Sequence, residues 1–416
     1  MKRWGMLALL VVLLSSLGLA PAEAKNRPED LFSKTGISKI TITVKEGDAQ
    51  KLVSAPKVSV PAKFAITGPN GSFKFANLPI GFHLKGTSTL RQNPSLISSR
   101  PSLRVKFKLD GFFKLPFLGE LHSLTLNSMT QDESKIHEYS SYLLYNAVGI
   151  PAPRVGYAQV NVVVGGRTYQ KGLFAIIEPY DDAFLDRRFP DFTQHLYEPC
   201  GHWTDVTRPG ATRGGEDCRN SLFEVKEGWR STPNKNDLRA LASIQKITDN
   251  GKWWSAMNRY TDREKVIRFW ATENFISAWD SYSGSIINNY YLRSNSVGKF
   301  SMMPTGTDEA FEYNFPMDAR SIGYPLIYDD FKVQSKNRGS MFTRCLRVKA
   351  CLNEYLDQLK FVSDTAGTMV LKKEMATIAS MLAPYNAASV WAQTSAQNWV
   401  DMKRGEVRKL LQKYGR

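Results

Sequence analysis

The chain has 416 residues, 42% hydrophobic and 23% charged, and carries a formal charge of +16. This is ordinary globular composition with length enough for two lobes, and it excludes a disordered or low-complexity protein. The basic residues are spread along the chain and no nucleic-acid motif occurs, so the charge suits an anionic envelope surface, an acidic substrate or a polyphosphate ligand, with a solvated basic surface as the plain alternative.

The N-terminus reads as a secretory signal over residues 1–24. Lys2 and Arg3 form its basic region, residues 6–14 are almost wholly apolar, and Ala22-Glu23-Ala24 is an A-x-A cleavage site. No later stretch could span a bilayer, so the expected product is secreted, periplasmic or on the cell-envelope surface, with no transmembrane anchor after cleavage.

Residues 37–109 have strand patterning. Residues 37–44 alternate apolar and polar in ISKITITV, residues 58–66 and 73–84 hold similar runs, and Asn70-Gly71 is a hairpin turn signal. A hydroxyl-rich turn follows in LKGTSTLRQ, residues 84–92. In LRVKFKL, Arg104, Lys106 and Lys108 alternate with Val105, Phe107 and Leu109, so a strand would present the three cations on one face. Such a face is either a solvated edge or a source of ammonium for nucleotide phosphates.

Residues 124–149 contain a helix pattern that starts near Asp132-Glu133-Ser134 and stops at Gly149 and Pro151. Glu138 lies on it. A hairpin is expected over residues 157–164 and 171–178, joined at Gly165-Gly166 and ending in Glu178, where the chain leaves an N-lobe sheet near an adenine. Residues 181–189 suggest a short helix. Residues 198–236 are irregular and hold Cys200 and Cys218; with Cys345 and Cys351, an even count in an exported chain suggests two disulfides, most simply Cys200–Cys218 and Cys345–Cys351.

From Asn236 onward the spacing is helical through about Ala278. Asp280 follows at once, then a Ser/Gly loop, Asn288 and Asn289. A strand over 290–292 and a returning strand over 299–303 make a hairpin, with Asp308 just beyond. The order Asp, loop, Asn, hairpin, Asp is what kinase-type phosphoryl transfer needs. One carboxylate takes the proton of the attacking hydroxyl; an amide oxygen and a second carboxylate hold a divalent cation. There is no His-Arg before Asp280, and Asp-Phe-Gly is replaced by Asp308-Glu309-Ala310. An irregular stretch runs to about residue 337, and residues 339–414 are helical. No G-x-S-x-G or H-E-x-x-H occurs, which argues against a hydrolase.

Taken together these motifs resemble the spore coat protein H (CotH) type of secreted atypical protein kinases, over about residues 37–313. The carriers include Lys85-Gly86-Thr87-Ser88-Thr89, Arg100-Pro101-Ser102-Leu103-Arg104, Leu126-Asn127 with Asp132 and Ser134, and His137-Glu138. They continue with Leu196-Tyr197-Glu198, Trp279-Asp280, Asn288-Asn289-Tyr290-Tyr291-Leu292 and Pro304-Thr305-Gly306-Thr307-Asp308. Thr305 stands where the family often has Trp.

The resemblance implies an α+β, two-lobed atypical kinase-like fold without the usual Gly-rich loop. Its lobes are a β-rich N-lobe with one helix over 25–180 and a mainly helical C-lobe over 181–416. It implies ATP and Mg²⁺ or Mn²⁺ as ligands. Asp280 is the expected catalytic-loop Asp, Asn289 the metal Asn with Asn288 as fallback, and Asp308 the metal Asp. Lys106 is the expected phosphate-contacting Lys, with Arg104 as the alternative and Glu138 as the helical partner; Glu178 is expected near the nucleotide. The acceptor is an exported protein, through Ser or Thr, or an envelope polymer. The competing reading is a weak or inactive kinase-like envelope protein that binds acidic partners.

Overall fold

Alternation along the first strands sets the architecture of the N-terminal half. In the computed structural model, which describes residues 28–86, 90, 94–107, 121–312, 326 and 338–416, strand β1 (Ser38–Val44) turns every second side chain inward. The signal segment 1–24, residues 87–89 of the hydroxyl-rich turn, Lys108 and most of the stretch 313–337 lie outside the described residues. After β1 come β2 (Val60–Thr67), β3 (Lys74–Lys85), β4 (Ser102–Phe107), β5 (Ser123–Asn127), β6 (Val155–Val164) and β7 (Arg167–Ile177).

These seven strands close into a barrel in the order β1-β2-β3-β4-β5-β7-β6, sealed by a parallel pairing of β1 with β6. Inward residues such as Ile42, Phe64, Phe82, Val105, Leu124 and Phe174 fill the interior and are wholly buried. Closure leaves no unpaired edge on this sheet. The expected hairpin is β6–β7, and its turn uses Gly165 and Gly166 at φ 56° and 84°, the left-handed region that two-residue hairpin turns demand.

Among the described residues this half holds an α-helix beyond the expected one. The unexpected one is α1 (Glu46–Ser54), between β1 and β2. The other is α2 (His137–Ala147). Asp132 organises the entry to α2: its carboxylate accepts from the amides of Lys135 and His137, each at 2.9 Å, and from Ser134 Oγ at 2.5 Å.

The C-terminal half is mainly helical but holds a second sheet. Helix α3 (Asp182–Arg188) follows the barrel, capped by the Asp181 carboxylate, which accepts from the Phe184 amide at 3.1 Å. Strands β8 (Thr193–Pro199), β9 (Phe223–Glu227), β10 (Tyr290–Asn295) and β11 (Phe300–Pro304) form an antiparallel sheet in the order β11-β10-β8-β9. The stretch 198–236 is therefore not wholly irregular, since it contains β9. Cys200 and Cys218 lie at disulfide distance (Cα–Cα 5.5 Å) and close the loop between β8 and β9. A closure of this length is worth about 3 kcal/mol in the chain-entropy account.

Helices α4 (Asn236–Ser243), α5 (Asn250–Tyr260) and α6 (Arg263–Ile276) lead toward β10. Helices α7 (Ser340–Cys345), α8 (Lys349–Thr368) and α10 (Val390–Lys413) pack against α6, and α9 (Leu371–Leu382) packs against α10, α8 and α2. Cys345 and Cys351, with Cα atoms 5.0 Å apart, join α7 to α8. The large core runs from α2 and the β6–β7 hairpin into these helices, so the two halves share buried surface. Among the described residues no helix is long and apolar enough to cross a membrane.

The barrel is held by its interior more than by any polar tie. Phe64 is fully buried and packs edge-on against Phe107 at 5.6 Å. Phe64→Ala should cost roughly 3–5 kcal/mol, read as a lower urea midpoint with an unchanged denaturant slope; a change below about 1 kcal/mol would contradict this packing.

Candidate active site

The site is built where α6 runs out. Ser277 ends the helix in the left-handed region at φ 58° and its amide returns to the Glu273 carbonyl. The chain then folds tightly. A side chain at Gly284 would place its Cβ 2.2 Å from the Trp279 carbonyl oxygen, so only glycine fits. Glu273, buried in the last turns of α6, holds this loop from beneath. It accepts from the Tyr282 amide at 3.1 Å, the Ser283 amide at 2.9 Å and Ser283 Oγ at 2.5 Å. Tyr282 stacks on Trp270 at 6.0 Å and meets Tyr290 edge-on at 5.0 Å.

The rest of the loop is pinned from the disulfide segment. The Trp203 amide donates to the Ile287 carbonyl at 2.6 Å, and Tyr290 Oη donates to the Thr204 carbonyl at 2.8 Å. The three expected residues of the metal and catalytic loops then come together. The Asn289 amide donates to the Asp280 carbonyl at 2.9 Å. Asn289 Nδ2 donates to Asp280 Oδ2 at 2.6 Å and to the Gly306 carbonyl at 3.0 Å.

With both Nδ2 protons used, Asn289 Oδ1 is left as the acceptor, and Asn288 Nδ2 approaches it at 3.1 Å. Gly306, at φ 57°, lies so close that an added Cβ would sit 2.7 Å from the Asn289 amide. The β10–β11 hairpin makes this possible, because Tyr290 pairs with Pro304 and returns the chain to Asn289.

Asp308 completes the group. Its carbonyl accepts from His137 Nδ1 at 2.9 Å, and Phe311 closes the turn by donating its amide to the Ile276 carbonyl at 2.7 Å. Glu138, next to His137 in the first turn of α2, accepts from Asn127 Nδ2 at 2.6 Å and from Tyr142 Oη at 3.4 Å.

Burial dominates the electrostatics of the group, and neighbouring carboxylates add to it. Burial pushes Asp280 well above the usual carboxylate range, and the charges of Asp308 and Glu309 push the same way. Asp308 is raised mainly by burial. Glu309 is pushed up to about 7 by burial and then by Asp308, and Glu138 to about 8 by burial and then by Asp308. Lys85 opposes the rise at both Glu138 and Asp308. Buried carboxylates beside an amide oxygen are hard oxygen donors, a set that fits a divalent cation such as Mg²⁺ or Mn²⁺.

Not every expected residue joins this group. Lys106 is exposed on β4. Its charge falls on His83 of the neighbouring strand, which burial and then the cations Lys106, Arg104, Lys226 and Lys85 hold down at about 4. The cation that bears on Glu138 and Asp308 is Lys85, at the end of β3. Arg104 donates to Thr125 Oγ1 at 2.7 Å and Ser123 Oγ at 2.8 Å on β5.

Glu178 is 2% exposed, and its carboxylate is taken up by Arg154 at 2.6 Å, Arg187 at 2.5 Å and the Arg154 amide at 3.1 Å. It ties the chain leaving the barrel to α3 rather than offering a free oxygen. Away from these loops, His122, Asp181 and Asp182 bring potential ligand atoms within 4.8 Å of one another at the surface.

Residues 82–412 match the family described as CotH kinase protein. The chain belongs to the CotH kinase family. No curated protein gives a significant match. Among solved structures, the proinflammatory kinase CtkA of Helicobacter pylori is similar at 9% identity, covering 75% of this chain and 95% of that one, with a TM-score of 0.37. The family match, which takes in Lys85, Glu138, Asp280, Asn289 and Asp308, is what makes this a kinase-type protein.

In this member of the CotH kinase family the residues that sequence reasoning left without a role are Lys85, Asn127, His137 and Glu273. The first three stand inside motifs that were read as family markers. Glu273 is an acid in the buried second half of α6, between Trp270 and Phe275, a signal of its own.

Glu273 yields a pH test. Burial raises its carboxyl from 4.5 to about 8, so folding favours its protonated form. Its contribution to stability is full below 4.5 and is lost as pH rises through 8. Glu273→Gln, which removes the titration and one acceptor, should melt lower at pH 5 and show a flatter fall of thermal midpoint between pH 5 and pH 8. An unchanged slope would contradict the assignment.

Proposed function

We propose that this CotH kinase is exported and transfers the γ-phosphoryl group of ATP to a hydroxyl, that of a protein Ser or Thr in the first instance, with Mg²⁺ or Mn²⁺. The observation that carries the proposal is the bridge from Asn289 to both Asp280 and the Gly306 carbonyl. It joins the catalytic Asp to the segment that presents Asp308. The apolar segment ending at Ala22-Glu23-Ala24 and the two cysteine pairs support export to the periplasm, the envelope surface or the medium.

In this reading Asp280 orients the acceptor hydroxyl and takes its proton. The acceptor oxygen bonds to the γ-phosphorus as the bond to the β-phosphate oxygen breaks. Asn289 Oδ1 and the Asp308 carboxylate would hold the divalent cation, which supplies charge neutralisation at the phosphates. Lys85 steadies the phosphates in place of Lys106, and Glu138, fixed by Asn127, is its partner on α2. The cations around His83 make the adjoining face of β3 and β4 attractive to an anionic nucleotide. Most of the rate comes from position and charge, since the chain offers no covalent chemistry of its own.

The test is transfer of labelled γ-phosphate by the mature, disulfide-bonded protein to itself or an added acceptor. Asp280→Ala should lower transfer by roughly 10²–10⁴-fold, and Asp308→Ala should lower it by at least about 10²-fold. Lys85→Met should cost on the order of 10²-fold, whereas Lys106→Met, at an exposed position, should stay within about 3-fold. Equal losses for the two lysines would return the phosphate role to β4. No transfer together with no metal-dependent nucleotide binding would leave an envelope-binding protein on a kinase-like scaffold.

A further inference from the structure

We infer that His137 is a positioning residue that carries the geometry of helix α2 into the metal loop, fixing the Asp308 peptide and through it the direction of the Asp308 side chain. The inference rests on the kinase reading and deepens it. His137 is 1% exposed at the first position of α2. Its Nδ1 lies 2.9 Å from the Asp308 carbonyl and 3.3 Å from Asp132 Oδ1. Both neighbours are acceptors, so Nδ1 carries the proton and donates. The ring cannot turn away without leaving a buried carbonyl unmatched.

The support behind the ring is itself rigid. Asp132 Oδ2 accepts from the His137 amide at 2.9 Å, and Lys135 Nζ ties back to the Met129 and Asp132 carbonyls at 2.6 and 2.5 Å. The start of α10 clamps the same turn: the Ser389 amide donates to the Glu133 carbonyl at 2.9 Å and Gln393 Nε2 to the Ser134 carbonyl at 3.1 Å.

The segment from Gly306 to Phe311 is tied to both halves of the protein. Asn289 holds the Gly306 carbonyl and the Ile276 carbonyl holds the Phe311 amide, both from the C-terminal half. The tie at Asp308 itself comes from α2, and the side-chain bond of Gln131 to Glu309 arrives from the same turn. The catalytic loop does not supply a histidine to this carbonyl, because Ala278 and Trp279 occupy the two positions before Asp280. His137 and Glu138 are adjacent, so one turn of one helix sets both the metal-loop backbone and the carboxylate beside Lys85. A shift of α2 would then disturb both together.

The experiment uses the full mature protein with His137→Ala, His137→Asn and His137→Gln, and Phe64→Ala as a destabilised control remote from the site. Binding of Mn²⁺ in the presence of ADP is followed by the free-Mn²⁺ paramagnetic resonance signal. Hydrogen exchange of the amides in residues 306–311 is followed without ligand. Asparagine places its amide nitrogen near the position of Nδ1, and glutamine does not.

His137→Ala and His137→Gln should weaken Mn²⁺ binding by about 10-fold or more, as loss of a supporting hydrogen bond does at metal sites. They should also speed exchange in 306–311. His137→Asn should stay near wild type in both, and Phe64→Ala should leave both unmoved relative to its lower stability. If all three His137 variants behave alike, or none differs from Phe64→Ala, the inference is overturned. If the wild type binds no Mn²⁺ with ADP, the kinase reading fails, and the exchange pattern alone then decides whether His137 fixes the loop.

Discussion

One side-chain amide holds the site together. Asn289 has two Nδ2 protons, and the protein uses one on the Asp280 carboxylate and the other on the Gly306 carbonyl, in the segment that presents Asp308. Everything nearby is arranged to make that possible. Gly306 must be glycine for the amide to fit, Gly284 must be glycine for Asp280 to reach its position, and the β10–β11 hairpin must return in register. The same bonds leave Asn289 Oδ1 as the accepting side of the amide, toward Asn288 Nδ2, the orientation that the proposed role as an oxygen ligand needs.

The cost of this arrangement is borne by carboxyl groups. Asp280, Asp308, Glu309 and Glu138 are crowded into partly dehydrated surroundings, and each holds its proton more tightly than it would in water. A structural role alone would favour neutral residues here. Under the proposed function a divalent cation and a cationic side chain would share the site with them. Glu273 beneath the loop is the counterexample, an acid whose acceptors are all taken by the protein and which serves shape rather than ligand binding.

Much of this was legible in the amino-acid order, and the rest was hidden for identifiable reasons. Alternation in β1 and β6, and Gly165-Gly166 between β6 and β7, marked the barrel strands because sheet periodicity and turn chemistry are local. Asp280, Asn289 and Asp308 were readable because the chain supplies them in order around one hairpin. Helix α1 was missed because nine residues, six of them polar or glycine, make no convincing apolar stripe. Strand β9 was missed because its pairing with β8 spans a long loop, closed by the cysteine pair at 200 and 218 and by the bond from the Cys200 amide to the Leu222 carbonyl.

Lys106 and Arg104 stand in a visible alternating triplet, whereas the bearing of Lys85 on Glu138 and Asp308 shows only once residues distant in sequence are brought together. Glu178 was read from its place at the end of a strand; its two arginine partners could not be inferred from that position.

The most direct measurement is a crystal structure of the mature protein with ADP and Mn²⁺, with manganese located by its anomalous scattering. The account predicts a manganese peak in contact with Asn289 Oδ1 and the Asp308 carboxylate, within reach of the nucleotide phosphates. A nucleotide bound with manganese only at His122, Asp181 and Asp182, or with none at Asp308, would contradict it.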